Sequence, residues 1–539
     1  MMDNSDMAIK SINATKNIFY QKLSQKTQMI RNIGFKNVYF TNRLIHTKEV
    51  AENCKLIVKT KNINGLVDFD RLVNSALLHD LGHTPFGHAG EDIINDLFLS
   101  IDESHYSESF PGLFRHNINS IRLLSKSYSF EEEDYILLDS VLKHSSTIPK
   151  NYNYRIFTDE NILKMNYLFR QTGFINSTFL KDFYKSYIKI VCKKRLGLVS
   201  ERSTCFACEK HSICHYSKIS NPQISLSCYL RYKFPVTVEG TVLYWADEIS
   251  CFISDLRDIF KFLTYFEGNL DLLIAFSRLE SVVKLLECKY LNNRLLSLIK
   301  KYMLLLKNKN LTNNNKIEKC LKLLDVIKTR LVSSLRVSSI KNLEKGQICL
   351  KISKDGCQVL FGLNKCNSDV LARIKNAIYS DVHNITYIHR SNEIGKDILK
   401  YLIKLYLNDF KTFLNDSDKI GKIHNKDLIE SLVESIYSLL SIKNRFNESL
   451  LMFSKKLTKV IKSNSFKVDN DSLRSFNNIS VYIKDENKDY NRIANLFKRE
   501  IGYFVASLDE NDVLSILRNK SLYDNEAAKL LSQLSSISY

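Results

Sequence analysis

Apolar residues recur at three- and four-residue spacing over long stretches, and proline and glycine are scarce, at 5 and 16. A period near 3.6 with so few breakers predicts an all-α chain of amphipathic helices. One helix is expected over about residues 42–59, with His46, Val50, Cys54 and Ile57 on its inner stripe. Another should follow Asp68, a short acceptor side chain suited to a helix start, and carry Leu72, Val73, Ala76 and Leu77 toward His79. A third, over about 241–260, carries Asp247. Residues 261–340 and 370–412 also read as helical, with the polar run at 307–316 as an exposed loop. Residues 347–362 alternate around Asp355-Gly356, which predicts a small β-hairpin. Residues 192–234 break the pattern with five cysteines and an Asn221-Pro222 pair. The expected partition is a core at 1–190, a cysteine-rich insert at 191–234, the second part of the core with a helical insertion and the hairpin at 235–415, and a C-terminal helical extension at 416–539.

With 539 residues, the chain has room for a large core and more than one compact unit. Apolar content of 44% and charged content of 25% fit a soluble globular class. No run of eighteen or more apolar residues is present, which argues against a membrane partner. The opening Met-Met-Asp-Asn-Ser-Asp lacks the basic and apolar pattern of a secretory leader. A cytoplasmic location is therefore expected, where the twelve cysteines would be free thiols or metal ligands and not disulfides. The net charge of +20 has two readings: a compositional bias spread over solvated faces, or a field that draws in polyanions. Triphosphates and single-stranded nucleic acid are the polyanions in view.

Chemistry concentrates at 77–91, Leu-Leu-His-Asp-Leu-Gly-His-Thr-Pro-Phe-Gly-His-Ala-Gly-Glu. A hydrolytic metal centre needs three or four N/O ligands and open positions for water and phosphate. His46, His79, Asp80 and Asp247 supply two imidazoles and two carboxylates, a set suited to Mn²⁺, Mg²⁺, Fe²⁺ or Zn²⁺ and without a soft thiolate. A lone histidine on an apolar helix face is ordinarily a packed core residue; the ordered set is what carries the inference. His88 and Glu91, three apart, can be neighbours on one helix face, an arrangement suited to a general acid. His116 is a third imidazole that either joins this relay or packs structurally.

These segments resemble the HD-domain deoxynucleoside triphosphate triphosphohydrolases, the dGTPase-like family. Arg-Leu-Ile-His-Thr-Lys-Glu-Val-Ala at 43–51 is similar to the family's Arg-Leu-Thr-His-Ser-x-Glu-Val-Ala, and 79–91 follow its signature almost residue for residue. Phe-Arg-His-Asn at 114–117, the stretch 237–249 and Lys26-Thr27-Gln28 also correspond, and 374–407 and 501–509 do so loosely. The resemblance implies an HD-domain helical bundle, a divalent metal, and hydrolysis of a dNTP to deoxynucleoside and triphosphate. It further implies a homo-oligomer, Arg43 grounding a phosphate, His83 near the phosphates, and Gln28 and Asp255 bonding the sugar. Two departures stand out. Tyr20-Gln21-Lys22-Leu23 replaces an Arg-Arg-Leu, and Ser250-Cys251 replaces an Ala-Tyr after the last ligand. In the family pattern that tyrosine lies between the metal and the sugar, so the second departure bears on substrate choice. Other readings are an HD nucleotidase or phosphodiesterase acting on another nucleotide, and a regulatory nucleic-acid-binding HD protein.

Cys205-x2-Cys208-x5-Cys214 lies between Cys192 and Cys228. Four such thiolates could hold a structural Zn²⁺ or a [4Fe–4S] cluster; the alternative is reduced thiols with no metal.

Overall fold

The computed structural model describes residues 19–30, 40–100, 114, 116–127, 137, 140–141, 236–265, 270–290, 293–308, 311–337, 348–349, 361–363, 365–382, 385–415 and 498–536. The cysteine insert, with Cys192, Cys205, Cys208, Cys214 and Cys228, lies outside these residues, as do 416–497.

The described chain is all-α. Its helices are α1 Arg43–Lys61, α2 Phe69–Leu78, α3 Gly87–Leu99, α4 His116–Ser127, α5 Val238–Tyr265, α6 Leu270–Lys289, α7 Arg294–Lys307, α8 Asn313–Ser334, α9 Lys365–Val382, α10 Thr386–Asn415, α11 Glu510–Ser521 and α12 Asn525–Ser535. Residues 498–507 are also helical. No described helix is long and apolar enough to cross a membrane.

Local chemistry sets the ends of the first two helices. Asn42 caps α1 by accepting a bond from the Ile45 amide, and α1 stops at Asn62, whose left-handed backbone (φ 53°) lets its N–H reach the carbonyls of Lys59 and Val58. Asp68 caps α2 by accepting from the Arg71 amide, as its position in the sequence predicts. The loop expected at 307–316 is shorter than its polar run: α7 extends to Lys307, Thr312 caps α8, and residues 313–316 already form the first turn of α8, with Lys316 buried. The stretch 370–412 is divided between α9 and α10.

The core forms where α1 packs on α2 and α5. Val50, Cys54, Ile57 and Val58 of α1, Leu72 and Ala76 of α2, and Val242, Ala246 and Ile249 of α5 are all buried. Each larger aliphatic side chain contributes about 1.5–3 kcal/mol on leaving water. His46 sits on this same buried stripe, so the packing that stabilises the bundle also delivers a polar side chain to its interior. Val73 and Leu77 are only partly buried, at the margin of the core.

The turn of the expected hairpin, Asp355-Gly356, lies outside the described residues, and only its two ends are described. Both described ends of 347–362 are strands, but neither pairs with the other. Ile348–Cys349 runs antiparallel to Val236–Thr237, and Phe361–Gly362 to Arg336–Val337; 350–360 lie outside the described residues. Alternation signals a strand, whereas the choice of partner depends on which backbone edge the helices bring alongside.

Candidate metal centre

Three segments converge on one point. His46 comes from the second turn of α1, His79 and Asp80 from the end of α2, and Asp247 from the third turn of α5. His46 Nε2 stands 2.9 Å from Asp247 Oδ1 and 3.7 Å from Asp80 Oδ2. His79 Nε2 stands 3.4 Å from Asp80 Oδ1 and 3.5 Å from Asp247 Oδ1. Ligands bound about 2.1 Å from one ion stand about 3.0–3.4 Å apart, so these are the edges of a coordination shell within a few tenths of an ångström. Further, His79 Nδ1 lies 2.7 Å from the Ala76 carbonyl, which can only accept. That bond puts the proton on Nδ1 and aims the Nε2 lone pair at the carboxylates. With both imidazoles neutral, these buried lone pairs and negative oxygens would repel one another, and a divalent cation between them is what the donor set fits.

The charges are strongly coupled. Burial opposes the charged form of His79, yet Asp80 and then Asp247 outweigh it and raise the imidazole to about 9. Burial likewise opposes the Asp80 carboxylate, but His79, Arg43 and His83 hold it well below the usual range. Asp247 is held low by His46 and His79 against the same penalty. Arg43 Nη1 donates to Asp80 Oδ2 at 2.7 Å. Its Nε is buried with no hydrogen-bond partner among the described residues.

The loop after Asp80 is pinned on both sides. Ser120 Oγ donates to the His79 carbonyl and accepts from the Gly82 amide, and Asn119 Nδ2 donates to the Gly82 carbonyl. A Cβ at Gly82 would lie 2.0 Å from the His116 carbonyl oxygen, so only glycine admits this approach of α4. On the other side, buried Lys26 donates from Nζ to the carbonyls of Leu81 and His83. Desolvation, with Lys22 and Arg43 nearby, pulls Lys26 down to about 7.

Glu91, on α3, gathers the remaining imidazoles. Its Oε1 lies 2.7 Å from His83 Nδ1 and 3.1 Å from His116 Nδ1, whereas His88 Nδ1 is 3.8 Å from Oε2. The pairing with His88 expected from the sequence is thus the longest of three. His83 and His116 stack at 3.7 Å with rings 14° apart. His83 Nε2 also reaches Asp80 Oδ1 at 3.1 Å, linking the relay to the metal ligands. Burial, with Arg43 and His116, lowers His83 to about 4. Glu91 is held well below the usual range because His116 and His83 outweigh its desolvation. His88 is exposed, and Glu91 raises it.

His88 opens onto a cavity of about 350 Å³ that Gln28, Phe86, Gly87, Tyr379, Tyr387 and His389 also line. Gln28 Oε1 is buried there with no hydrogen-bond partner among the described residues. Asp255, two turns beyond Asp247, is buried, and desolvation raises it to about 7 despite Lys375. Sequence reasoning missed Tyr379, Tyr387, His389 and Lys375, which come from α9 and α10; only the weak C-terminal likeness touched them. It also missed Glu510, and it read Cys251, one turn after Asp247, only as a departure in wording and not as a neighbour of His46.

Glu510, at the start of α11, accepts from Thr27 N and Oγ1 at 3.0 Å each and from Phe86 N at 3.3 Å. Thr27 precedes Gln28, and Phe86, a non-glycine residue at φ 65°, precedes Gly87 and His88. One carboxylate therefore clasps both walls of the cavity. Glu510→Ala is expected to cost about 2 kcal/mol, because a buried charge-assisted acceptor is lost and its donors are stranded. Denaturant titration checks this, and an unchanged midpoint would refute the clasp.

Residues 43–165 match the HD domain family. A deoxyguanosinetriphosphate triphosphohydrolase-like protein of Geobacter metallireducens is 34% identical over 134 residues, 24% of this chain and 30% of that protein. A relative of the same name from Pelagibacter ubique is 33% identical over 135 residues, covering 24% and 32%. Another, from Clostridium tetani, is 34% identical over 148 residues, covering 26% and 36%. The matches span about a third of the length of these relatives. The resemblance read from the motifs is borne out to that extent.

Proposed function

We propose that the chain is a metal-dependent phosphohydrolase whose substrate is a dNTP, split into deoxynucleoside and inorganic triphosphate. The observation that carries this reading is the convergence of His46, His79, Asp80 and Asp247 beside a cavity bordered by Gln28 and His88. The names of the relatives supply the substrate class. Those four residues would hold the ion, with Mn²⁺, Mg²⁺ or Fe²⁺ as the hard candidates. A bound divalent cation supplies Lewis acidity toward a phosphoryl oxygen and acidifies water.

The protein's own residues account for the other requirements. Arg43, anchored on Asp80, directs its unpartnered Nε at an anionic phosphate oxygen. Gln28 offers its amide to a sugar hydroxyl, since Oε1 has an unused acceptor site. Asp255, lifted toward neutrality by burial, offers either a donor or an acceptor to the sugar side. His88 stands at the cavity wall and carries a proton to higher pH than a free imidazole, because Glu91 favours its charged form. It donates that proton to the departing 5′-oxygen, which would otherwise leave as a poor alkoxide. Stacked His83 and His116, both on Glu91, hold that carboxylate in place.

The test is incubation with each dNTP and NTP plus Mn²⁺ or Mg²⁺, with products separated by ion exchange. The expected products are triphosphate and nucleoside. Pyrophosphate with NMP, or stepwise orthophosphate, would replace this reading with a different nucleotidase.

A further inference from the structure

The metal centre read from the sequence holds only imidazole and carboxylate, yet the fold brings a thiol into it. Cys251 lies four residues beyond Asp247 on α5, so the two side chains share a face one turn apart. Cys251 Sγ is 3.5 Å from Asp247 Oδ1 and 3.9 Å from His46 Nε2. These three atoms, and the trio of His46, His79 and Asp80, form two compact clusters of potential ligand atoms that share His46. A thiolate about 2.3 Å from an ion and an imidazole about 2.05 Å from it stand about 3.1–3.6 Å apart. The separations of Cys251 from His46 and Asp247 therefore need a contraction of only a few tenths of an ångström. Cys251 is a free thiol, partly exposed on a helix whose neighbouring turns are packed.

We propose that Cys251 is an additional ligand of this centre, and that its sulfur biases the site toward thiophilic divalent ions such as Zn²⁺ over Mg²⁺. The thiol proton passes to solvent as the sulfur–metal bond forms, with no change of oxidation state. Carboxylate and water suit Mg²⁺, whereas one thiolate shifts the preference toward softer ions. The inference rests on the metal-centre part of the reading above and is independent of the substrate. It also gives the departure from the family's Ala-Tyr wording a chemical consequence: the position occupied there by a phenol here faces the metal with sulfur.

Cobalt spectroscopy on the full-length chain tests this. Protein stripped with chelator is loaded with Co²⁺ as wild type, Asp80→Ala, Cys251→Ser and Cys251→Ala. Cobalt taken up by the cysteine insert contributes equally to all four and cancels in difference spectra. Wild type minus Asp80→Ala should show visible ligand-field bands and a near-ultraviolet thiolate-to-cobalt charge-transfer band. Both Cys251 variants should keep the ligand-field bands, which report an intact site, and lose the charge-transfer band. Their preference for Zn²⁺ over Mg²⁺ should fall at least about tenfold, since even an outer partner of a metal ligand is worth about 10–100-fold. Ligand-field bands with an unchanged charge-transfer band in Cys251→Ser would overturn the thiolate ligand alone. No cobalt spectrum distinguishing wild type from Asp80→Ala would overturn the metal centre together with it.

Discussion

Asp80→Asn should empty the metal centre and abolish hydrolysis. Asp80 is buried and lies against four side chains of the centre: Arg43 at 2.7 Å, His83 at 3.1 Å, His79 at 3.4 Å and His46 at 3.7 Å. Asparagine keeps the volume but offers one neutral acceptor where two charged oxygens stood. The rate should fall by more than about a hundredfold, because loss of a mere outer partner already costs about 10–100-fold. Arg43 would also be left as a buried cation with a weaker partner, and breaking a buried pair costs about 3–5 kcal/mol when one side is removed outright. Metal content by elemental analysis and circular dichroism separate the two effects. A folded Asp80→Asn protein with full metal occupancy and ordinary turnover would sink the ligand assignment.

Glu91→Gln should leave the metal in place and slow the reaction by about 10²–10⁴-fold, the usual worth of positioned proton transfer. Glu91 is the common partner of His83, His116 and His88, so its charge is felt by three imidazoles. Its effect on pH dependence has a definite sign. Glu91 raises His88, so the protonated donor persists above the ordinary histidine range. Without that charge His88 loses its proton at lower pH, and the alkaline limb of the rate profile should shift toward acid. His88→Ala should remove that limb while retaining metal. If Glu91→Gln lost the metal, or kept both rate and profile, the relay would not be the proton source.

Much of this site was legible in the amino-acid sequence. The stripe of His46, Val50, Cys54 and Ile57 and the cap at Asp68 are local properties, set by the helical period and by which side chains can reach a free amide. The adjacency of His79 and Asp80, and the three-residue step from His88 to Glu91, placed chemistry close together before any tertiary contact was known.

Tertiary packing decided the rest. Glu91 was visible as a neighbour of His88, yet the approach of α4 across Gly82 gives it His116, and the turn of the loop gives it His83. Cys251 stood one turn from Asp247 in the sequence, but α1 had to pack on α5 before His46 and that sulfur shared one centre. Glu510 reaches Thr27 across 483 residues, and the two strands at 348–349 and 361–362 found partners outside their own segment. What the sequence alone determined is what neighbours within a few turns dictate through periodicity and capping. Which distant elements share a face is set by the cooperative filling of one core, and no local pattern encodes that geometry.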